Sequence, residues 1–121
     1  MSLQEFAKLG PAQSVRRIEF DSAEVVGGFP GGQVLVVRGE APCLNIDVRL
    51  SPLVYVECPE YWEIEVIGSL PGNFCLTAIK PYAVSMPLAG VVGSSGIEVV
   101  GNSKRERIEV EGGCRRGQAL G

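Results

Sequence analysis

The 121-residue chain contains no histidine. Histidine titrates near neutral pH, and it serves as the base of many nucleophilic triads and as a frequent metal ligand. Its absence excludes Ser-His-Asp and Cys-His catalysis, imidazole proton transfer and every site that needs a histidine ligand. The catalytic options that remain are paired carboxylates, a Ser-Lys pair or an activated thiol.

Motifs for metal and nucleotide binding are also missing. No CxxC pair occurs, so the spacing of zinc sites is absent, and no acidic loop has the pattern of a calcium-binding EF-hand. The glycine-rich stretch 27–32 has neither the lysine of a phosphate-binding loop nor a predicted helix after it. The sequence therefore predicts no metal site, no cofactor and no catalytic residue.

Long apolar runs are absent. The chain has no stretch of the roughly 18 apolar residues that a membrane-spanning helix needs, and residues 1–17 lack the apolar core of a secretory signal. We therefore expect a cytoplasmic protein with no membrane partner. Its four cysteines, Cys43, Cys58, Cys75 and Cys114, are expected to be free thiols, with disulfides as the alternative that their even number leaves open.

Basic residues are scarce in the middle of the chain. From Glu40 to Glu98 there are seven acidic and two basic residues, and the net charge of the whole chain is −3. Nucleic-acid binding needs a clustered basic surface that neutralises phosphates. No nucleic-acid partner is predicted.

Short stretches of alternating apolar and polar residues are abundant. Residues 45–50 and 61–67 alternate cleanly, and turn residues such as Pro71-Gly72 separate such stretches. About eight strands are predicted, with no helix long enough for a parallel crossover. We predict an all-β protein, an antiparallel β-sandwich of immunoglobulin-like type, with a small closed β-barrel as the alternative.

The length of the chain predicts a single domain. Residues 1–13 are predicted to be an N-terminal leader or a short amphipathic helix, because their large apolar residues recur at helical spacing. Residues 14–111 form the predicted sandwich, and residues 112–121 are predicted to be a flexible tail.

A motif of the form apolar-Glu-Val-any-Gly occurs at residues 23–27, 64–68, 97–101 and 108–112. The intervals between the copies have no common period, so the motif is not a tandem repeat. In each copy we expect the apolar residues to point inward and the glutamate to face solvent. We expect the glycine to end the strand by permitting a turn. The motif is thus predicted to be structural.

One aromatic and acidic stretch, residues 55–62, holds two of the three tyrosines and the only tryptophan. Alternation predicts that Trp62 lies in the core and that Tyr61 lies on the outer face with Glu63. Exposed aromatic side chains bring large apolar area to protein interfaces, and the neighbouring acids favour a basic or cationic partner. The predicted binding residues are Tyr55, Glu57, Glu60, Tyr61 and Glu63.

Two classes of function remain open. The favoured class is a non-catalytic protein-protein interaction module or small subunit, which binds another protein or a second copy of itself. The alternative is a small-molecule-binding protein, or an enzyme that uses carboxylates in a loop or barrel-mouth pocket. The alternative requires a concave pocket that holds at least two acidic residues of raised pKa.

Overall fold

The computed structural model describes residues 14–29, 32–72 and 74–120, and these residues form eight β-strands and no helix. The all-β prediction is therefore confirmed. The helix predicted within residues 1–13 lies outside the described residues. The strands are β1 (Ser14–Arg17), β2 (Ser22–Phe29), β3 (Gly32–Cys43), β4 (Asp47–Pro52), β5 (Tyr61–Leu70), β6 (Thr77–Pro87), β7 (Gly96–Val100) and β8 (Arg105–Glu109).

The first sheet is built around β5, which pairs with β4 along one edge. Along its other edge β5 pairs in parallel with β7 through residues 61–65 and antiparallel with β1 through residues 67–70. β8 extends the sheet beyond β7. The parallel β5–β7 pair makes this sheet mixed, so the prediction of purely antiparallel sheets is wrong. A parallel pair needs a long crossover connection, and here the chain passes through β6 of the other sheet before it returns as β7.

The second sheet has the order β2-β3-β6 and is antiparallel throughout. Alternate residues of its central strand, from Leu35 to Cys43, are buried. Among the described residues no strand pair joins the two sheets. The closed-barrel alternative is wrong, because a barrel requires one ladder that runs continuously around it.

The two sheets share one apolar core. Trp62, Ile64 and Val66 of β5 belong to the same buried cluster as Leu35 and Val37 of β3. The intervening residues of β5, from position 61 to position 65, are only partly buried and lie on its other face. The inward position predicted for Trp62 is confirmed.

The first strand leads from one sheet into the other. The backbone N–H of Ile18 donates to the Val66 carbonyl of β5 at 3.0 Å, and three residues later the N–H of Asp21 donates to the Arg38 carbonyl of β3 at 2.8 Å. Between these contacts the chain crosses the edge of the core. Burial of Ile18 and Phe20 anchors this crossing.

All four cysteines form disulfides, Cys43–Cys75 and Cys58–Cys114, with Cα–Cα distances of 5.3 and 5.8 Å. The prediction of free thiols is wrong. Disulfides persist mainly in oxidising compartments, so these two bonds do not support the cytoplasmic location that the lack of a secretory signal predicted. In the part of the chain that the structure describes, no helix is long and apolar enough to cross a membrane.

The four copies of the glutamate motif do not share one role. Gly101 directly follows β7, and Gly112 lies shortly after the end of β8. A turn was expected at both positions. Gly27 and Gly68 instead lie inside β2 and β5, so the predicted turn is wrong for these two copies. A Cβ at Gly68 would lie 2.6 Å from Ile46 Cδ1 and 2.8 Å from Ile18 Cγ2, so close packing in the core, and not a turn, favours glycine here.

Residues 112–120, hereafter the C-terminal segment, are attached to the body of the protein. Cys114 is bonded to Cys58, and the backbone N–H of Cys58 donates to the Gln118 carbonyl at 2.8 Å. Leu120 packs against the core cluster. The segment predicted as a tail thus runs beside residues 56–58 as a short ladder.

Candidate functional site

Several predicted binding residues border an ion-pair network on the outer face of the first sheet. Arg105 Nη1 of β8 lies 3.0 Å from Glu63 Oε1 of β5 and 2.8 Å from Glu98 Oε2 of β7. Arg107 Nε lies 2.9 Å from the other carboxylate oxygen of Glu98. We call Glu63, Glu98, Arg105 and Arg107 the outer network. Its charges largely neutralise one another.

Glu98 occupies the centre of the outer network and is the only charged residue among the buried residues of the described chain, with 8% exposure. Burial raises the pKa of its carboxyl group, but hydrogen bonds from Arg107 and Arg105 outweigh this effect and leave the pKa below its ordinary value. Glu98 is therefore ionised at neutral pH. Its glutamate motif predicted a solvent-facing side chain, and that prediction is wrong because the Arg105 and Arg107 side chains of the neighbouring strand β8 pair with its carboxylate and shield it.

Tyr61 lies on the outer face of β5, next to the outer network. Its hydroxyl donates to Glu109 Oε1 at 3.3 Å, and the Arg107 guanidinium lies 4.6 Å from the centre of its ring. A cation at this distance is attracted by the aromatic face. The cationic contact that the sequence predicted from a partner is thus already supplied by β8.

Tyr55 is a half-buried support for the same region. Its hydroxyl donates to Glu63 Oε2 at 3.4 Å and accepts the Glu63 backbone N–H at 3.3 Å. Its ring meets the Trp62 ring edge-on, with 5.0 Å between centroids. Desolvation by burial raises the pKa of the Tyr55 hydroxyl. These contacts hold Tyr55 in place and leave little of it for a partner.

Glu57 and Glu60 take no part in the ion pairs of the outer network. Both are exposed, and no side-chain hydrogen bond involves either of them in the described part of the chain. The Glu60 backbone carbonyl accepts the Ser95 N–H at 2.8 Å. Of the five predicted binding residues, Glu63 thus belongs to the outer network, Tyr55 and Tyr61 lie beside it, and Glu57 and Glu60 form no side-chain hydrogen bond in the described part of the chain.

The pH dependence of stability tests the role of Glu98. Because its folded pKa is lowered, ionised Glu98 stabilises the fold fully above its ordinary pKa of 4.5, and this contribution is lost as the pH falls through the lower folded value. Glu98→Gln is expected to lower the free energy of unfolding by about 1 kcal/mol at pH 7, since solvent screens the half-exposed arginines. The difference from wild type should shrink in denaturant titrations at lower pH.

The matched control for this variant is Glu24→Gln. Glu24 also pairs with an arginine, Arg38, but both side chains are more than half exposed. Its replacement should change stability little at any pH. Equal effects of the two substitutions at pH 7 would contradict the role assigned to Glu98.

A second candidate surface surrounds the Cys43–Cys75 disulfide. Leu44, Phe74 and Leu76 are 50%, 60% and 44% exposed. We call these three residues, with Asn45, the disulfide tip. Large apolar side chains that remain exposed together mark interaction sites more often than isolated ones do.

The backbone of the disulfide tip is held rigidly. Asn45 Nδ2 donates to the Phe74 carbonyl at 2.7 Å, and Asn45 Oδ1 accepts the Leu76 N–H at 2.9 Å. The Leu44 N–H donates to the Leu76 carbonyl at 2.8 Å. Sequence reasoning missed this surface, because an alternating pattern does not reveal that two distant apolar stretches meet beyond the end of a sheet.

Two clefts in the described part of the chain bear on the alternative of a carboxylate enzyme. Within the described ranges, Glu111 is the one acidic residue that lines a cleft of about 480 Å³. A groove of about 360 Å³ is lined by Glu19 and Glu40. Hydrogen bonds from the Ser103 side chain and backbone lower the pKa of Glu19, which is the opposite of the raised pKa that this mechanism requires.

Comparison with known proteins identifies no relative. No protein-family model matches the chain, and neither a curated protein nor a solved structure is significantly similar to it. Its function is therefore argued from its own residues and contacts.

Proposed function

We propose that this protein is a non-catalytic module that binds another protein through the disulfide tip. The observation that carries this proposal is the exposure of Leu44, Phe74 and Leu76 on a backbone fixed by a disulfide and by Asn45. A fixed backbone loses little conformational entropy on binding, so the apolar area it presents contributes more fully to affinity.

The proposed partner offers an uncharged apolar groove. Residues 43–46 and 74–79 contain no charged side chain. A groove lined with unpaired charges would lose hydration without gaining a counter-charge. An aromatic anchor such as Phe74 inserted into an apolar pocket is a common centre of binding energy.

The proposed setting is an oxidising compartment. Two disulfides and no free cysteine occur among the described residues, and both bonds join segments far apart in the chain. A reducing cytoplasm would not maintain such bonds. In that setting the disulfide beneath the tip keeps the binding surface in one conformation.

For the fold we propose an immunoglobulin-like sandwich. Its support is the number of strands, the division into two sheets and the single shared core. Two features differ from antibody domains: the β5–β7 pair is parallel, and Cys43–Cys75 links β3 to the segment that enters β6 instead of linking the two sheets.

Pull-down experiments with three bait proteins test this proposal. The baits are wild type, a tip variant with Phe74→Ser and Leu76→Ser, and a control variant with Val54→Ser and Val56→Ser. The two valines are 95% and 80% exposed but lie near the other end of β4, so they are matched apolar controls. The tip variant should retain the stability of wild type and lose a partner that both other baits retain. Loss of the Phe74 anchor should weaken binding of that partner by at least about thirty-fold.

Two results would contradict this proposal. In the first, all three baits capture the same proteins. In the second, wild type captures no protein that the tip variant fails to capture. Light scattering during size-exclusion chromatography identifies the case in which the partner is a second copy. A dimer that the tip substitutions abolish and the valine substitutions preserve would assign the tip to self-association.

A further inference from the structure

An open cleft of about 480 Å³ lies between the start of β3, the β6–β7 connection and the C-terminal segment. Trp62, Leu88 and Val92 line it with apolar surface, and each of them is itself largely buried. Small-molecule sites typically have volumes of about 300 to 1,000 Å³, so the cleft is large enough for a small organic ligand.

The charge of the cleft favours a cation. Among the residues that the structure describes, Glu111 is the only charged one that lines it. The indole N–H of Trp62 donates to the Leu53 carbonyl at 2.9 Å and is therefore not available to an anion. Gln33 and Gln118 add neutral polar groups to the lining.

The walls of the cleft are joined by direct contacts within the protein. The Leu88 N–H donates to the Gln33 carbonyl at 2.9 Å, which ties the β6–β7 connection to β3. The C-terminal segment is held by Cys114, and a Cβ at Gly113 would overlap the Gly93 carbonyl. The cleft is thus preformed, which lowers the entropic cost of binding.

We propose that this cleft binds a small organic cation with an apolar body, of the alkylammonium or arylammonium class. The apolar part lies against Trp62, Leu88 and Val92, and the ammonium group lies near Glu111. This site is separate from the disulfide tip, and neither proposal depends on the other.

Trp62 is the only tryptophan of the chain, so its fluorescence reports directly on this cleft. The probe is benzyltrimethylammonium, compared at constant ionic strength with phenylmethanesulfonate, an anion of similar size. The cation should give a saturable change in fluorescence with at least about ten-fold higher affinity than the anion. Isothermal titration calorimetry should give the same ratio of the two affinities.

Glu111→Gln removes the charge and keeps the size of the side chain. It should weaken binding of the cation by about two- to five-fold, as expected for a partly exposed ion pair, and leave the anion unaffected or slightly improved. Asp47→Asn is the matched control, because it removes the same charge from an exposed residue of β4, outside the cleft lining. It should leave both affinities unchanged.

Three results would overturn the proposal. They are the absence of saturable binding by the cation at millimolar concentration, equal affinity for cation and anion, and equal effects of Glu111→Gln and Asp47→Asn. Because both substitutions lie on the surface, circular dichroism should show that each variant folds as wild type does.

Discussion

Replacing both Cys58 and Cys114 by serine is expected to lower the free energy of unfolding by about 4 kcal/mol. The two cysteines are 56 residues apart in the chain, and their disulfide restricts a large part of the unfolded ensemble. In the folded protein the same bond attaches the C-terminal segment to the turn before β5. Its loss should therefore also increase hydrogen exchange in residues 112–120.

Denaturant titration of the oxidised proteins measures this effect. Titration of thiols in the unfolded wild type, without reductant, should detect no free cysteine. Detection of four free thiols, or an unfolding midpoint that the double substitution leaves unchanged, would show that the Cys58–Cys114 bond does not form. The Cys43→Ser and Cys75→Ser pair gives a comparison in which the C-terminal segment stays attached.

Gly93→Ala is expected to destabilise the protein by about 3 kcal/mol, because the new Cβ has no space. It would lie 2.5 Å from the Glu60 carbonyl oxygen and 2.6 Å from the Pro59 carbonyl oxygen. Both oxygens are fixed, since they accept the backbone N–H groups of Ser95 and Ser94 at 2.8 and 2.9 Å. Relief of the overlap would separate the β6–β7 connection from the start of β5 and break these bonds.

Gly27→Ala is the control for this substitution. Its Cβ would lie 3.5 Å from Gln33 Cγ, an ordinary contact, and Gly27 does not have a positive φ. The free energy of unfolding, measured with heat or denaturant, should change by less than about 1 kcal/mol. Alanine lowers the entropy of the unfolded chain, which favours the folded variant slightly. Similar losses for both variants would mean that Gly93 is not closely packed.

β5 shows how far sequence alternation could predict the candidate site. The pleat of a strand has a period of two residues, so the alternation of Trp62 and Ile64 with Tyr61 and Glu63 fixed which side chains face inward. Alternation within β5 does not show which other strands join the sheet, or which of their side chains lie on its outer face. Pairing of β7 with β8 brings Arg107 to Glu98 and to the ring of Tyr61, and the pattern within β5 does not show these contacts.

The cysteines and the C-terminal segment illustrate a similar limit. No spacing rule in the sequence pairs Cys58 with Cys114, because the bond depends on the path of the chain through both sheets. The same path brings the C-terminal segment against residues 56–58, although its own composition resembles that of a loose end. The cleft beside Trp62 exists only because these segments meet.

The sequence by itself determined the all-β class and the inward and outward faces of its clearest strands, because these follow from local periodicity and turn residues. Its lack of histidine also excluded the catalytic classes that need an imidazole. Only the tertiary structure decided the parallel β5–β7 pair, the disulfides, the burial of Glu98 and the rigid disulfide tip. Each of these depends on contacts between residues distant in the chain, and a local pattern does not encode which distant segments become neighbours.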